Sequence, residues 1–140
     1  MKLSTKGRYG VAAMYELALH YGEGPISLKS IAQKQGISEH YLEQLICTLR
    51  NSGYVTSIRG AQGGYILAKD PKGITVGDII IAMEGPIALV DCLLTDAEDN
   101  RYCKKAGACV TRGVWAKVCD SINEVLNSIT LADLCREEKK

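Results

Sequence analysis

Six cysteines are the side chains best placed to do chemistry in this chain of 140 residues: Cys47, Cys92, Cys103, Cys109, Cys119 and Cys135. Three of them, Cys92, Cys103 and Cys109, fall within 18 residues in the pattern C-x10-C-x5-C. As thiolates they can gather round one metal centre, and thiolates suit zinc and iron–sulfur clusters alike. The spacing has no tight C-x2-C pair and does not choose between the two; three unrelated thiols in a loop is the plain alternative. The carboxylates Asp91, Asp96, Glu98 and Asp99 lie among them. In a secreted chain six cysteines would suggest disulfides. Here the opening MKLSTKGRYG lacks the apolar h-region of a secretory signal, and no apolar run approaches the ~20 residues of a membrane span. A reducing, cytoplasmic setting is therefore expected, in which metal binding, redox sensing or core thiols are the natural readings.

A second set of residues points to a different chemistry. Ser38, His40, Tyr41, Glu43, Gln44 and Cys47 share one polar face of a helix whose other face is the stripe Leu42, Leu45, Ile46 and Leu49. That stripe follows the i, i+3, i+4, i+7 spacing of an amphipathic helix. A helix fits the DNA major groove, and Gln pairs bidentately with adenine. The alternative is an ordinary helix with a solvated face. Cys47 on this face is an exposed thiol that can react, or a bland one. Cys119 lies between Trp115 and Ile122 on an apolar helix face and reads as core, and Cys135 reads as structural.

The elements that position these residues are legible from caps and periodicity. Residues 5–21 form a nearly all-apolar helix, expected to be buried on most sides and stopped by Gly22, Gly24 and Pro25. Two short helices follow, capped by Ser27 and Ser38, each with an isoleucine before the cap and an apolar partner four positions in. Joined by a few residues around Gly36, they form a helix-turn-helix candidate. Gly53 ends the second. Tyr54–Arg59 and Gly64–Lys69 then read as two strands of a hairpin with a glycine-rich tip, on which Arg59 and Gln62 can reach a minor groove or a phosphate. Thr75 caps another helix, with Asp78 at its third position, that stops at Gly85-Pro86. Residues 87–109 show no periodicity and read as a loop. A long helix over 110–128 has the apolar face Val114, Trp115, Val118, Ile122, Val125, Leu126 and Ile129. Thr130 and Asp133 open a last short helix, and the tail is polar.

Fold class follows: mainly α with a small β-hairpin wing, a winged helix-turn-helix with a long C-terminal dimerisation helix. The division expected is 1–85 for the DNA-binding part, 86–109 for the cysteine-bearing loop, and 110–140 for the dimerisation helix and tail. Charge agrees with this. Residues 1–72 carry nine Lys and Arg against five Asp and Glu, and residues 73–140 carry eight against eleven. The basic front suits a polyanion. Apolar residues at 46% and charged residues at 24% are ordinary for a globular domain and exclude disorder along the whole chain. With no Phe and one Trp, a large aromatic-lined ligand pocket is disfavoured. An enzyme is not expected: there is no Ser/His/Asp set and no phosphate-cradling motif, and the two histidines are His20 and His40.

The stretches KLSTKGRYGVAAMYELAL, SLKSIAQKQGISEHYLEQL, SIRGAQGGYILAKDP and ITVGDIIIAMEGP resemble the IscR-like (Rrf-two) family of bacterial winged-helix transcription regulators over nearly the whole chain. The resemblance implies a homodimer on a pseudo-palindromic double-stranded DNA operator, with the long helices crossing between subunits. It implies that Ser38, His40, Tyr41, Glu43, Gln44, Arg59 and Gln62 contact DNA. It also implies a [2Fe-2S] cluster on Cys92, Cys103 and Cys109, whose loading reports on iron–sulfur cluster biogenesis. Other members sense nitric oxide or redox state. Still others regulate cysteine metabolism, lack the three cysteines and work through a partner enzyme. Outside this class stands a zinc-binding interaction module with no DNA role. No membrane or small-molecule substrate is implied. Two departures from the cluster-bearing pattern stand out. The first cysteine gap is longer, and Arg112 stands where the family has a ligating His. Arginine stays protonated and cannot ligate iron, so a fourth ligand is sought at Glu43 or a loop carboxylate.

Overall fold

Four hydroxyl side chains start four of the helices, in a computed structural model that describes residues 3–86 and 110–138. Ser4 caps α1 (Thr5–Leu19), Ser27 caps α2 (Leu28–Gln35) and Ser38 caps α3 (Glu39–Asn51); each hydroxyl accepts from a backbone N–H three residues on, at 3.1 Å. Thr75 caps α4 (Val76–Glu84) in a full capping box: Asp78 N–H donates to the threonine hydroxyl, and Thr75 N–H donates to the Asp78 carboxylate, both at 3.0 Å. Each such cap satisfies an N–H that the helix cannot pair internally, worth about 1 kcal/mol. Between α3 and α4 run β1 (Val55–Ile58), β2 (Gly64–Leu67) and a single 3-10 turn over Pro71–Gly73. Beyond residue 109 come α5 (Val110–Ser128) and α6 (Leu131–Glu138). Cys92, Cys103 and Cys109, with Asp91, Asp96, Glu98 and Asp99, lie outside the described residues, as does the loop expected over 87–109.

The core gathers around α3. Leu42, Leu45, Ile46 and Leu49, the stripe read from the sequence, are buried to within 1% of exposure. They meet Ala13, Met14 and Leu17 of α1, Ile31 and Ala32 of α2, Val55 and Leu67 of the hairpin, and Ile79 and Met83 of α4. Burial of a Leu or Ile side chain contributes roughly 1.5–3 kcal/mol, so this cluster fixes how the polar face of α3 is presented.

The first helix corrects an expectation. It ends at Leu19 and is buried along one stripe only: Gly7, Gly10, Ala13, Met14, Leu17 and Ala18. Those positions share a face at helical spacing, while Tyr9, Val11, Ala12 and Leu19 lie off it and stay half-buried. Two glycines sit on that stripe because α4 runs close by. A Cβ on Gly7 would come within 2.7 Å of Glu84 Oε1, and one on Gly10 within 2.8 Å of Met83 Cγ. The Glu84 carboxylate accepts from Ser4 N–H at 2.7 Å and from the Ser4 hydroxyl. A negative charge at a helix N-terminus is favourable, so Glu84 ties the end of α4 to the start of α1.

The hairpin pairs antiparallel, with Val55 opposite Leu67, Thr56 opposite Ile66, Ser57 opposite Tyr65 and Ile58 opposite Gly64. A third chain segment joins it. Ile26, in the linker before α2, exchanges two backbone hydrogen bonds with Tyr65, at 3.0 and 2.9 Å.

The last two helices close the structure differently. In α6, Leu131 is fully buried in the same apolar cluster as α1 to α4, with Leu134 and Cys135 packed against it. Thr130 and Asp133 form a second reciprocal cap, at 2.9 and 3.1 Å. The two caps lie side by side: Val76 N–H donates to Ile129 O at 2.8 Å, and Leu131 N–H to Ile74 O at 2.9 Å. In α5 the buried residue is Cys119, as expected, while Val114, Trp115, Val118 and Val125 remain exposed.

Candidate nucleic-acid interface

With its apolar stripe committed to the core, α3 turns the opposite face outward. His40, Glu43, Gln44 and Cys47 are exposed and together line one shallow groove. The Gln44 amide lies 3.3 Å from His40 Nε2. With the imidazole neutral at that nitrogen, the amide donates and the ring accepts. The Gln44 carbonyl oxygen is then left to accept, and to read a base the amide exchanges the ring for it. Asn51 Nδ2 approaches Cys47 Sγ at 3.8 Å one turn on. Ser38, exposed at the start of the helix, spends its hydroxyl on the cap. Tyr41 is half-buried, its ring edge-on to Tyr9 with centroids 6.1 Å apart. The structure therefore brings His40, Glu43, Gln44 and Cys47 together and turns Tyr41 partly into the head, the body formed by α1 to α4 and the hairpin.

Arg59 and Gln62 are exposed on the wing, at the tip between β1 and β2. Gly63 N–H closes the tip on Gly60 O at 3.0 Å. Gly60 has a φ of +116°, a backbone that side-chain-bearing residues rarely adopt, and a Cβ on Gly63 would meet Ile58 O at 2.1 Å. Glycine at both positions lets the chain reverse tightly and leaves Arg59 and Gln62 projecting. At the base of the wing, burial pushes the Tyr54 phenol above its ordinary value, and the Asp78 carboxylate adds to the shift. Lys69 Nζ stands 5.2 Å from the centre of the same ring.

Among the described residues no three His, Cys, Asp or Glu side chains gather as a metal site. Glu43, considered above as a cluster ligand, lies on the α3 face beside His40 and Cys47. Arg112 sits in the first turn of α5, half-buried, and its Nε has no hydrogen-bond partner among the described residues. Sequence reading missed two features of the interface. One is the Ile26–Tyr65 bridge, which ties the two-stranded wing to the linker before α2. The other is the close backbone packing at Gly63 and Gly64, for which the run of glycines in the tip was the available signal.

A family model described as "Rrf2: Iron-dependent Transcriptional regulator" matches residues 3–137. The chain is 54% identical over 134 residues to the HTH-type transcriptional regulator CymR of Bacillus subtilis, covering 96% of this chain and 89% of the relative. Among solved structures it is similar to that of CymR (YrzC), described as the global cysteine regulator of B. subtilis, with a TM-score of 0.81, 50% identity and 98% of each chain covered. It is similar also to IscR of T. potens, with a TM-score of 0.79, 54% identity, and 99% of this chain and 88% of that one covered.

Proposed function

The chain belongs to the Rrf2 family of transcriptional regulators, and from that membership we propose that it is a homodimeric, sequence-reading DNA-binding regulator controlled by an iron–sulfur cluster. The observation that carries DNA reading is the exposed polar face of α3, held outward by a buried leucine and isoleucine stripe beside a glycine-built wing. In this reading α3 lies in a major groove, with Gln44 and Tyr41 as main readers and Ser38 and His40 beside them. Glu43 accepts from a cytosine amine or repels the wrong site. Arg59, with Gln62, enters a minor groove or meets a phosphate. Two copies joined through the exposed face of α5 read a pseudo-palindromic operator.

The donor set supports the cluster. Three thiolates within 18 residues are ligands of the type that iron–sulfur centres take, and Cys92, Cys103 and Cys109 would hold a [2Fe-2S] group. Such a group supplies a centre whose presence and redox state report on iron and sulfide supply. The fourth ligand is Glu43 or one of Asp91, Asp96, Glu98 and Asp99, since Arg112 cannot serve. A Glu43 bound to iron would be withdrawn from DNA, which couples loading to site choice.

A second reading has a specific support. Similarity to CymR, described as the global cysteine regulator of B. subtilis, supports a regulator of cysteine metabolism on the same scaffold as well as similarity to IscR supports the cluster. Iron and sulfide counts on anaerobically reconstituted protein separate the two. About two irons and two sulfides per chain, lost when Cys92, Cys103 and Cys109 become Ala, support the cluster reading. Protein that takes up neither, yet binds duplex DNA with a steep log-linear salt dependence, supports the cysteine-metabolism reading. Loss of salt-dependent duplex binding altogether removes both and leaves a zinc-binding interaction module to be tested.

A further inference from the structure

We infer that Gly64 is a positioning residue for DNA binding, which holds the wing at a fixed reach by letting its backbone lie directly on the linker before α2. The inference rests on the reading of Arg59 as a DNA contact. An ideal Cβ on Gly64 would lie 2.2 Å from Ile26 O, 2.5 Å from Ile26 C and 2.9 Å from Ser27 N. All three neighbours are backbone atoms, so no side chain can rotate away to make room. Relief to ordinary contact takes a shift of about 1 Å between hairpin and linker.

That shift has nowhere harmless to go. Ser27 caps α2, and its hydroxyl accepts from Ser30 N–H at 3.1 Å, so moving the linker undoes the start of the helix-turn-helix. Moving the hairpin instead breaks the two Ile26–Tyr65 hydrogen bonds at 3.0 and 2.9 Å. Without them the wing is a two-stranded ribbon of four residue pairs, and an isolated two-stranded hairpin is marginal in water. Gly64 pairs with Ile58, the neighbour of Arg59. Displacement at 64 therefore passes straight to the arginine, whereas α3, seated on the buried cluster, keeps its face.

A double-mutant cycle on the full chain tests this. Wild type, Arg59→Ala, Gly64→Ala and the double variant are titrated with a duplex selected from random sequence by the wild type, over a range of salt. Arg59→Ala is expected to weaken binding about tenfold and to lower the salt slope by about one. Gly64→Ala alone is expected to reproduce both changes, and Arg59→Ala is expected to add nothing in its background. Equal losses from Arg59→Ala in both backgrounds overturn the positioning role. If Arg59→Ala is silent in the wild type, the wing reading itself falls and takes the inference with it; a loss in the wild type that recurs undiminished in the Gly64→Ala background marks the failure of the positioning role alone. Should Gly64→Ala lose its far-ultraviolet circular dichroism, Ile26→Pro takes its place in the cycle. That change deletes the N–H donated to Tyr65 and adds nothing at position 64, and the same coupling is required of it.

Discussion

Gln44 and Tyr54 show how differently single side chains serve this protein. Gln44 is held by a neighbour on its own helix, one turn back at His40, so its amide is preoriented and its carbonyl is available. Replacing Gln44 by Ala is expected to relax selectivity at one base position by about 1–3 kcal/mol, read by competition among duplexes that differ there; unchanged selectivity removes Gln44 from the readout. Tyr54 works by staying neutral. Its phenol ionises above the ordinary 10.0 because burial, and then the Asp78 charge, disfavour the anion. The unfolded chain therefore releases this proton first as pH rises, and stability falls with pH above about 10. In Tyr54→Phe the alkaline arm of a melting-temperature profile should be shallower than in the wild type, with the neutral region little changed. At this scale the sequence is most informative for residues that act on their own backbone. Ser27, Ser38, Thr75 and Thr130 are visible as caps because the hydroxyl reaches only a few residues along the chain. Gly7 and Gly64 are not visible as contact points, because what each would touch lies on another segment.

Among the elements, α5 is the one left unfinished. Its residues Val118, Ser121, Ile122, Val125 and Leu126 line an open apolar surface, and Val125 keeps 57% of its exposure. Scattered apolar residues on a surface are ordinary, whereas a continuous apolar stripe on one helix marks an interface. Val118→Glu should convert the dimer to monomer in sedimentation, leave the melting of the head near wild type, and cost operator affinity because two half-sites are no longer joined; a dimer that persists places the interface elsewhere. The 3.6-residue period made this stripe legible in the sequence, but periodicity alone does not say what covers it. The same blindness explains the misjudged burial of α1. Its composition is apolar on most sides, yet among the described residues only the face with Gly7, Gly10, Met14 and Leu17 is fully buried, while Tyr9 and Val11 are covered in part.

Across the whole molecule, residues far apart in sequence share one core. Leu131 is 0% exposed in a cluster otherwise drawn from residues 13–83, and the Thr75–Thr130 bridge pins it there. Leu131→Ala is expected to cost about 2–5 kcal/mol of head stability, measured by denaturant unfolding with α3 signals as the probe; a loss confined to α6 would show the two to be separable. This long-range closure was the least legible part of the fold, since a cap at Thr130 predicts a helix and not its seat. It also sets an order of events during synthesis. At ~5–20 residues per second, a ribosome spends roughly 2–10 s between Met83 and Leu131. Until Leu131 has been made, the cluster of α1 to α4 lacks the side chain that completes it. The apolar stripe of α5 emerges before the seat is filled, so a second nascent chain can meet that stripe before the first has finished folding.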